Sequence, residues 1–153
     1  MAFLDGFQFY LFSALKGRVH NNGTPLIGAR LTRTALDTYN NKTYTDITQT
    51  DEQGLFSFSP VKIWIFRPLL HHESRQTINI EFHGQHKLAW KMTKNCLHHG
   101  GEIAYQEDAK MTPIEVDCNW ANDEDKEQGI IKKVKISMVL TGIATIINVK
   151  NSS

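Results

Sequence analysis

Seven histidines in a chain of 153 residues are the first candidates for chemistry. Two pairs are adjacent, His71-His72 and His98-His99, and Cys96 stands two residues before the second pair. Histidine and cysteine are the ligand types zinc selects, four at a time. Adjacent residues of an extended chain point to opposite faces, so each histidine pair can offer one ligand to a given site. No C-x-x-C or H-E-x-x-H spacing accompanies them, and no metal or other cofactor is expected. A nucleophilic reading sets the Cys96 thiol against His98 or His99. Catalytic cysteine–histidine pairs are usually assembled from distant parts of a chain, and these are close neighbours. The acidic run Asp123-Glu124-Asp125-Lys-Glu127 lacks the glycine spacing of a calcium-binding loop, because Gly129 falls in the wrong place, and reads as a solvated charged loop.

Aromatic side chains remain. Trp64, Phe66, Trp90, Tyr105 and Trp120 are large for a small domain, and some must fill a core. Those in irregular stretches are candidate anchors of a protein interface, where Trp, Tyr and Arg concentrate. Two stretches combine such anchors with histidines: Trp64, Phe66, Arg67, His71, His72 and Glu73 in one, His98, His99 and Tyr105 in the other. Asp123, Glu124 and Asp125 would supply an electrostatic rim.

The elements that must carry these residues are strands. Asn22-Gly23 supplies the positive φ of a two-residue hairpin turn. Pro25 and Gly28 punctuate a second turn. Residues 51–54 form a loop ending on Gly54, and Phe56 and Phe58 then alternate with Ser57 and Ser59. Strands are expected over residues 15–20, 29–35, 43–50 and 55–59, with a polar, Asn-rich turn over 36–42. Residues 61–70 are nearly all apolar, either a buried crossing between sheets or an exposed apolar surface. Residues 76–83 alternate Ile78, Ile80 and Phe82 against Thr77, Asn79 and Glu81, and turn at Gly84 into a returning strand. Residues 95–105 show no period. Ile114, Val116 and Cys118 alternate again, residues 121–128 are polar, and two strands, 131–140 and 143–149, bend at Thr141-Gly142.

Length and composition fit one domain over residues 1–153, with a C-terminal extension of strands over 121–153. Hydrophobic residues make up 41% and charged residues 22%, enough to bury a core in water. Seventeen basic residues balance sixteen acidic ones to leave a net charge of +1, which gives no footprint for nucleic acid. Residues 1–15 are apolar, but Asp5 interrupts them and Lys16 follows rather than precedes the run, so an edge strand or apolar arm is expected in place of a secretory leader. Residues 138–149 are too short for a transmembrane helix. A cytoplasmic location follows, with the periplasm as alternative, and Cys96 and Cys118 as free thiols.

The motif Gly17-x-Val19, Gly23-x-Pro25-x-x-Gly28-Ala29 and Thr50-Asp51-x-x-Gly54-x-Phe56-x-Phe58 resembles the signature of carboxypeptidase regulatory-like domains, a transthyretin-like β-sandwich group. Tyr10-Leu-Phe-Ser13, Leu70-His-His-Glu73 and Leu88-Ala-Trp90-Lys-Met-Thr-Lys94 resemble a family of small bacterial proteins carrying this domain, over roughly residues 9–120. The resemblance implies an all-β fold: a single antiparallel sandwich of prealbumin-like, Greek-key type with seven to nine strands. One transthyretin-like enzyme, the 5-hydroxyisourate hydrolase, ends in Tyr-Arg-Gly-Ser. This chain ends Val149-Lys-Asn-Ser-Ser153, which argues against that activity. The expectation is a non-catalytic protein-binding module, an immunity protein for a cognate toxin or an effector accessory in interbacterial competition. A histidine-loop metal-dependent hydrolase and a small-ligand carrier are the alternatives, and self-association is left open.

Overall fold

The computed structural model describes residues 7–65, 73–95, 113–132 and 135–148. Among them are thirteen strands and no helix: β1 (Phe7–Phe12), β2 (Leu15–Asn21), β3 (Thr24–Pro25), β4 (Arg30–Asp37), β5 (Lys42–Gln49), β6 (Leu55–Phe58), β7 (Val61–Ile65), β8 (Glu73–Phe82), β9 (Gln85–Asn95), β10 (Ile114–Asn119), β11 (Glu127–Lys132), β12 (Lys135–Thr141) and β13 (Ala144–Ile146). A five-stranded sheet runs β13-β10-β2-β3, with β6 also on β2, and a six-stranded sheet runs β11-β12-β9-β8-β4-β5. A β1-β7 ribbon completes an all-β sandwich.

The strand count exceeds seven to nine for identifiable reasons. The N-terminal arm and part of the apolar 61–70 run pair as the β1-β7 ribbon, which joins neither large sheet. Two strands, β3 and β13, are only two and three residues long. The stretch 131–140 is shared between two strands rather than forming one: β11 and β12 pair antiparallel with Lys132 opposite Lys135. Nor is every pairing antiparallel. β10 lies parallel to β2 over six residues, Ile114 opposite Leu15 through Asn119 opposite His20.

Turn chemistry sets the hairpins. Asn22 (φ 47°) and Gly23 (φ 98°) close β2 onto β3, and His83 (φ 47°) with Gly84 (φ 76°) closes β8 onto β9. The Thr50-Asp51-x-x-Gly54 segment is a bonded corner. Thr50 Oγ1 donates to Leu26 O at 2.6 Å and accepts from Ala29 N–H at 2.8 Å. Asp51 Oδ1 accepts from the N–H groups of Gln53 and Leu55, both at 2.9 Å. A Cβ on Gly54 would stand 2.6 Å from Val19 O, so only glycine lets this corner close against β2.

The core lies between the two large sheets. Leu15, Val19, Phe56, Phe58, Ile114, Val116, Cys118 and Ile146 face Leu31, Ile78, Ile80, Trp90, Met92 and Leu140 from the other side. The inner face of the six-stranded sheet also carries Arg33, Asp37, Ser74, Gln76 and Lys94, all buried. There β1 covers it. Arg33 Nη1–H donates to Ser13 O at 3.2 Å, Ser74 Oγ–H to Leu11 O at 2.6 Å, Gln76 Nε2–H to Leu11 O at 2.8 Å, and Lys94 Nζ–H to Tyr10 O. Trp90 Nε1–H in turn donates to Gln76 Oε1 at 3.0 Å. The Arg33 guanidinium, 1% exposed, lies between the rings of Phe12 and Phe58 and bonds Asp46 Oδ2 at 2.5 Å.

Gln76→Leu keeps the volume but strips the indole N–H of its acceptor and Leu11 O of a donor. Its expected cost is about 1–3 kcal/mol, measured by urea denaturation, with the m-value unchanged.

Candidate functional site

The outer face of the five-stranded sheet forms an open groove of about 830 Å³. Its floor follows from two alternating strands. On β2 the core takes Leu15 and Val19, which turns Lys16 and Arg18 outward; on β10 the core takes Ile114, Val116 and Cys118, which turns Glu115 and Asp117 outward. The parallel register sets Lys16 opposite Glu115 and Arg18 opposite Asp117. Lys16 Nζ lies 3.3 Å from Glu115 and Arg18 Nη2 lies 3.7 Å from Asp117. Gly17 permits this proximity, since a Cβ there would stand 2.3 Å from Val116 O.

Rows run across the face. Ser57, Lys16 and Glu115 form one, and Leu55, Arg18 and Asp117 the next. Leu55, 48% exposed, and Ile147, 59% exposed, line the groove as aliphatic shoulders, and Ile147 N–H donates to Glu115 O at 2.9 Å. Thr48, Gln49 and Asp51 close the wall nearest β5. The ions are half exposed, so each pair contributes little to stability and can exchange its partner cheaply.

His20 ends the charged column and is buried. Its Nε2–H donates to Asp117 Oδ2 at 2.8 Å, and its Nδ1 accepts from Gly23 N–H at 2.9 Å. Both ring nitrogens are therefore engaged in holding the β2-β3 hairpin to β10. Cys118, the free thiol of the described residues, is buried on the opposite side of β10. Burial pushes its thiol up to about 12, with the Asp117 charge adding to the rise and Lys126 opposing it. Burial also pulls the Lys126 ammonium below its ordinary range, while Cys118 acts the other way. No group of three or more His, Cys, Asp or Glu side chains that could hold a metal ion occurs among the described residues.

The residues singled out from sequence fall elsewhere. Phe66, Arg67, His71, His72, His98, His99 and Tyr105, with Cys96, lie outside the described residues. Trp64 stands on β7 opposite Gln8. Glu73 opens β8, where its N–H donates to Thr38 Oγ1 at 2.8 Å. The acidic run is exposed, but two of its carboxylates hold backbone: Asp123 Oδ1 accepts from Asp125 N–H at 3.0 Å, and Glu124 Oε1 from Leu88 N–H at 2.5 Å. The Asp125 carboxylate stands exposed on the same loop. Sequence reading passed over Lys16, Arg18, Glu115 and Asp117, although both strands show the alternation; what it lacks is the parallel register that joins them.

Residues 15–127 match the model of a family described as a domain of unknown function, DUF6795. The chain belongs to this family. The DUF6795 span runs from the first residue of β2 to the first of β11 and so contains the whole charged column of the groove, Leu55 included. Its boundaries leave out β1, β12, β13 and Ile147. No curated protein and no solved structure matches the chain. No helix of the described residues is long and apolar enough to cross a membrane.

A thiol whose folded pKa lies near 12 stays protonated through neutral pH. Cys118 is therefore expected to resist iodoacetamide at pH 8 in the folded protein and to label fully in urea, read by peptide mass spectrometry. The raised pKa also fixes a sign: its contribution to stability is complete below the ordinary thiol pKa and is lost as pH climbs from there toward 12.

Proposed function

We propose that the chain is a non-catalytic protein-binding β-sandwich of carboxypeptidase regulatory-like, transthyretin-like type that uses the outer face of its five-stranded sheet. The observation that carries this reading is the make-up of the groove. Its cations and anions satisfy one another in register, and aliphatic side chains flank them. Such a surface offers no activated nucleophile or acid–base pair to a small substrate. It matches the mixed, half-exposed chemistry of a partner protein, whose own charges can replace the internal pairs while Leu55 and Ile147 are buried. Within that class we infer an immunity protein that neutralises a toxin, or an accessory to a secreted effector. The support is the motif likeness to small bacterial proteins with this domain. The stretches around Trp64–Glu73 and Asn95–Tyr105, with the acidic run Asp123–Glu127 as an electrostatic rim, are a second contact region under the same reading.

A small-ligand carrier is the second reading, and the groove volume favours it, since about 830 Å³ lies within the range of small-molecule sites. The groove is open, however, and paired ions make up its floor.

Affinity capture with the tagged protein, from the organism that encodes it, tests the first reading. One stoichiometric partner is expected with the native sequence. Arg18→Glu combined with Leu55→Asp should lose it, with the thermal transition unchanged. Trp64→Ala with His72→Ala separates the second region from the first. Absence of any partner, or retention of the same partner by every variant, overturns the reading.

A further inference from the structure

Strand β5 borders the six-stranded sheet, and among the described residues no strand pairs with its outer edge. Six of its eight residues are exposed. Its pairing with β4 runs without a bulge from Lys42 opposite Asp37 to Gln49 opposite Arg30, and it contains neither proline nor glycine. Bulges and prolines are usual protections of an edge, and β5 has neither.

The backbone groups that face outward can be assigned. Thr50 N–H donates to Ala29 O at 2.9 Å at the end of the ladder. Alternation in an antiparallel pair then directs the N–H and C=O of Tyr44, Asp46 and Thr48 and the C=O of Lys42 toward β4, while Lys42 N–H donates to Asn40 Oδ1 at 3.1 Å. Those of Thr43, Thr45, Ile47 and Gln49 point away from the sheet.

The sequence along this edge is complementary to itself. Lys42-Thr43-Tyr44-Thr45-Asp46 reads the same in both directions about Tyr44, except that the charge inverts. We propose that β5 is a self-association edge, on which two copies of this chain pair antiparallel about Tyr44 and continue the six-stranded sheet across a two-fold axis. In that register Lys42 faces Asp46 of the second copy twice, Thr43 faces Thr45 twice, and the Tyr44 rings meet at the axis. Opposite charges, threonine pairs and aromatic pairs are the favourable cross-strand combinations. The neighbouring registers are poorer. An axis at Thr45 sets Tyr44 against Asp46, an axis at Asp46 opposes two carboxylates, and an axis at Thr43 leaves Asp46 against Asn40. Asp46 is also held in place for this role, because Arg33 bonds its Oδ2 while the side chain stays 48% exposed. The Lys42 ammonium already lies 5.1 Å from the Tyr44 ring centroid, on the same face. The inference is independent of the groove and of its occupant.

Sedimentation velocity over a concentration series at low salt tests it, with the intact chain. The native protein is expected to shift from monomer to dimer with concentration, and the dimer to weaken as salt screens the exposed pairs. Thr45→Pro deletes an outward N–H and no bond to β4, so it should be monomeric at every concentration with an unchanged thermal transition. Lys42→Glu, which leaves the backbone intact, turns two opposed pairs into two like-charge pairs and should weaken the dimer at least tenfold. A native protein that stays monomeric throughout overturns the proposal and leaves the edge to a strand of another protein. A dimer that survives both substitutions also overturns it, because the contact must then lie elsewhere.

Discussion

The arrangement depends on a buried exchange of hydrogen bonds between side chains and main chain. The inner face of the six-stranded sheet is apolar opposite the five-stranded sheet and polar toward β1, with Arg33 at the boundary between Phe12 and Phe58. In that second region Arg33, Ser74, Gln76 and Lys94 need acceptors, and the carbonyls of Tyr10, Leu11 and Ser13 supply them. Buried donors without partners would cost several kcal/mol together, so these bonds tie the N-terminal strand to the six-stranded sheet, although neither large sheet includes it. Phe12 completes the seal. Its ring lies 5.3 Å from that of Trp90 and beneath the Arg33 guanidinium, so a buried cation, an aromatic stack and the arm are fixed together.

Much of this fold could be read from local chemistry. Asn22-Gly23, Gly84 and the Thr50-Asp51-x-x-Gly54 corner each impose a backbone shape that leaves the chain little choice, and the structure shows all three turns. The alternation of Ile78, Ile80 and Phe82 and of Ile114, Val116 and Cys118 likewise sets a strand and its inward face. Other features are set by partners remote in sequence. Nothing near Arg33 or Lys94 marks them as buried, because their acceptors lie on β1 and their burial follows from the docking of that arm. The division of residues 131–140 between two strands falls where the sequence places Lys132, Lys133 and Lys135, a break in apolar character that the pairing of β11 with β12 turns into a reversal.

The groove was half legible for the same reason. Lys16 and Arg18 alternate with core residues on one strand, Glu115 and Asp117 on another, and each set can be assigned to a solvent face. That the two faces are one face depends on a parallel pairing between residues about a hundred positions apart, which no local pattern encodes. The near-zero net charge is therefore more than a bulk property. Along this column, cation and anion are matched row by row, so the surface carries strong local fields with little long-range field.

The parallel pairing also has a bearing on time. His20 and Asp117, bonded in the finished fold, are separated by 97 positions, and β2 occupies the centre of a sheet whose other long strand is made late. On a ribosome, the β4-β5 and β8-β9 hairpins can zip as they emerge, whereas β2 has β3 and β6 on one side and must wait for β10 on the other. For most of its synthesis, then, the nascent chain holds β4, β5, β8 and β9 of one sheet and only β2, β3 and β6 of the other. The assembly of this domain is expected to be governed by that delay, and the interval before β10 arrives is when the chain depends most on chaperones.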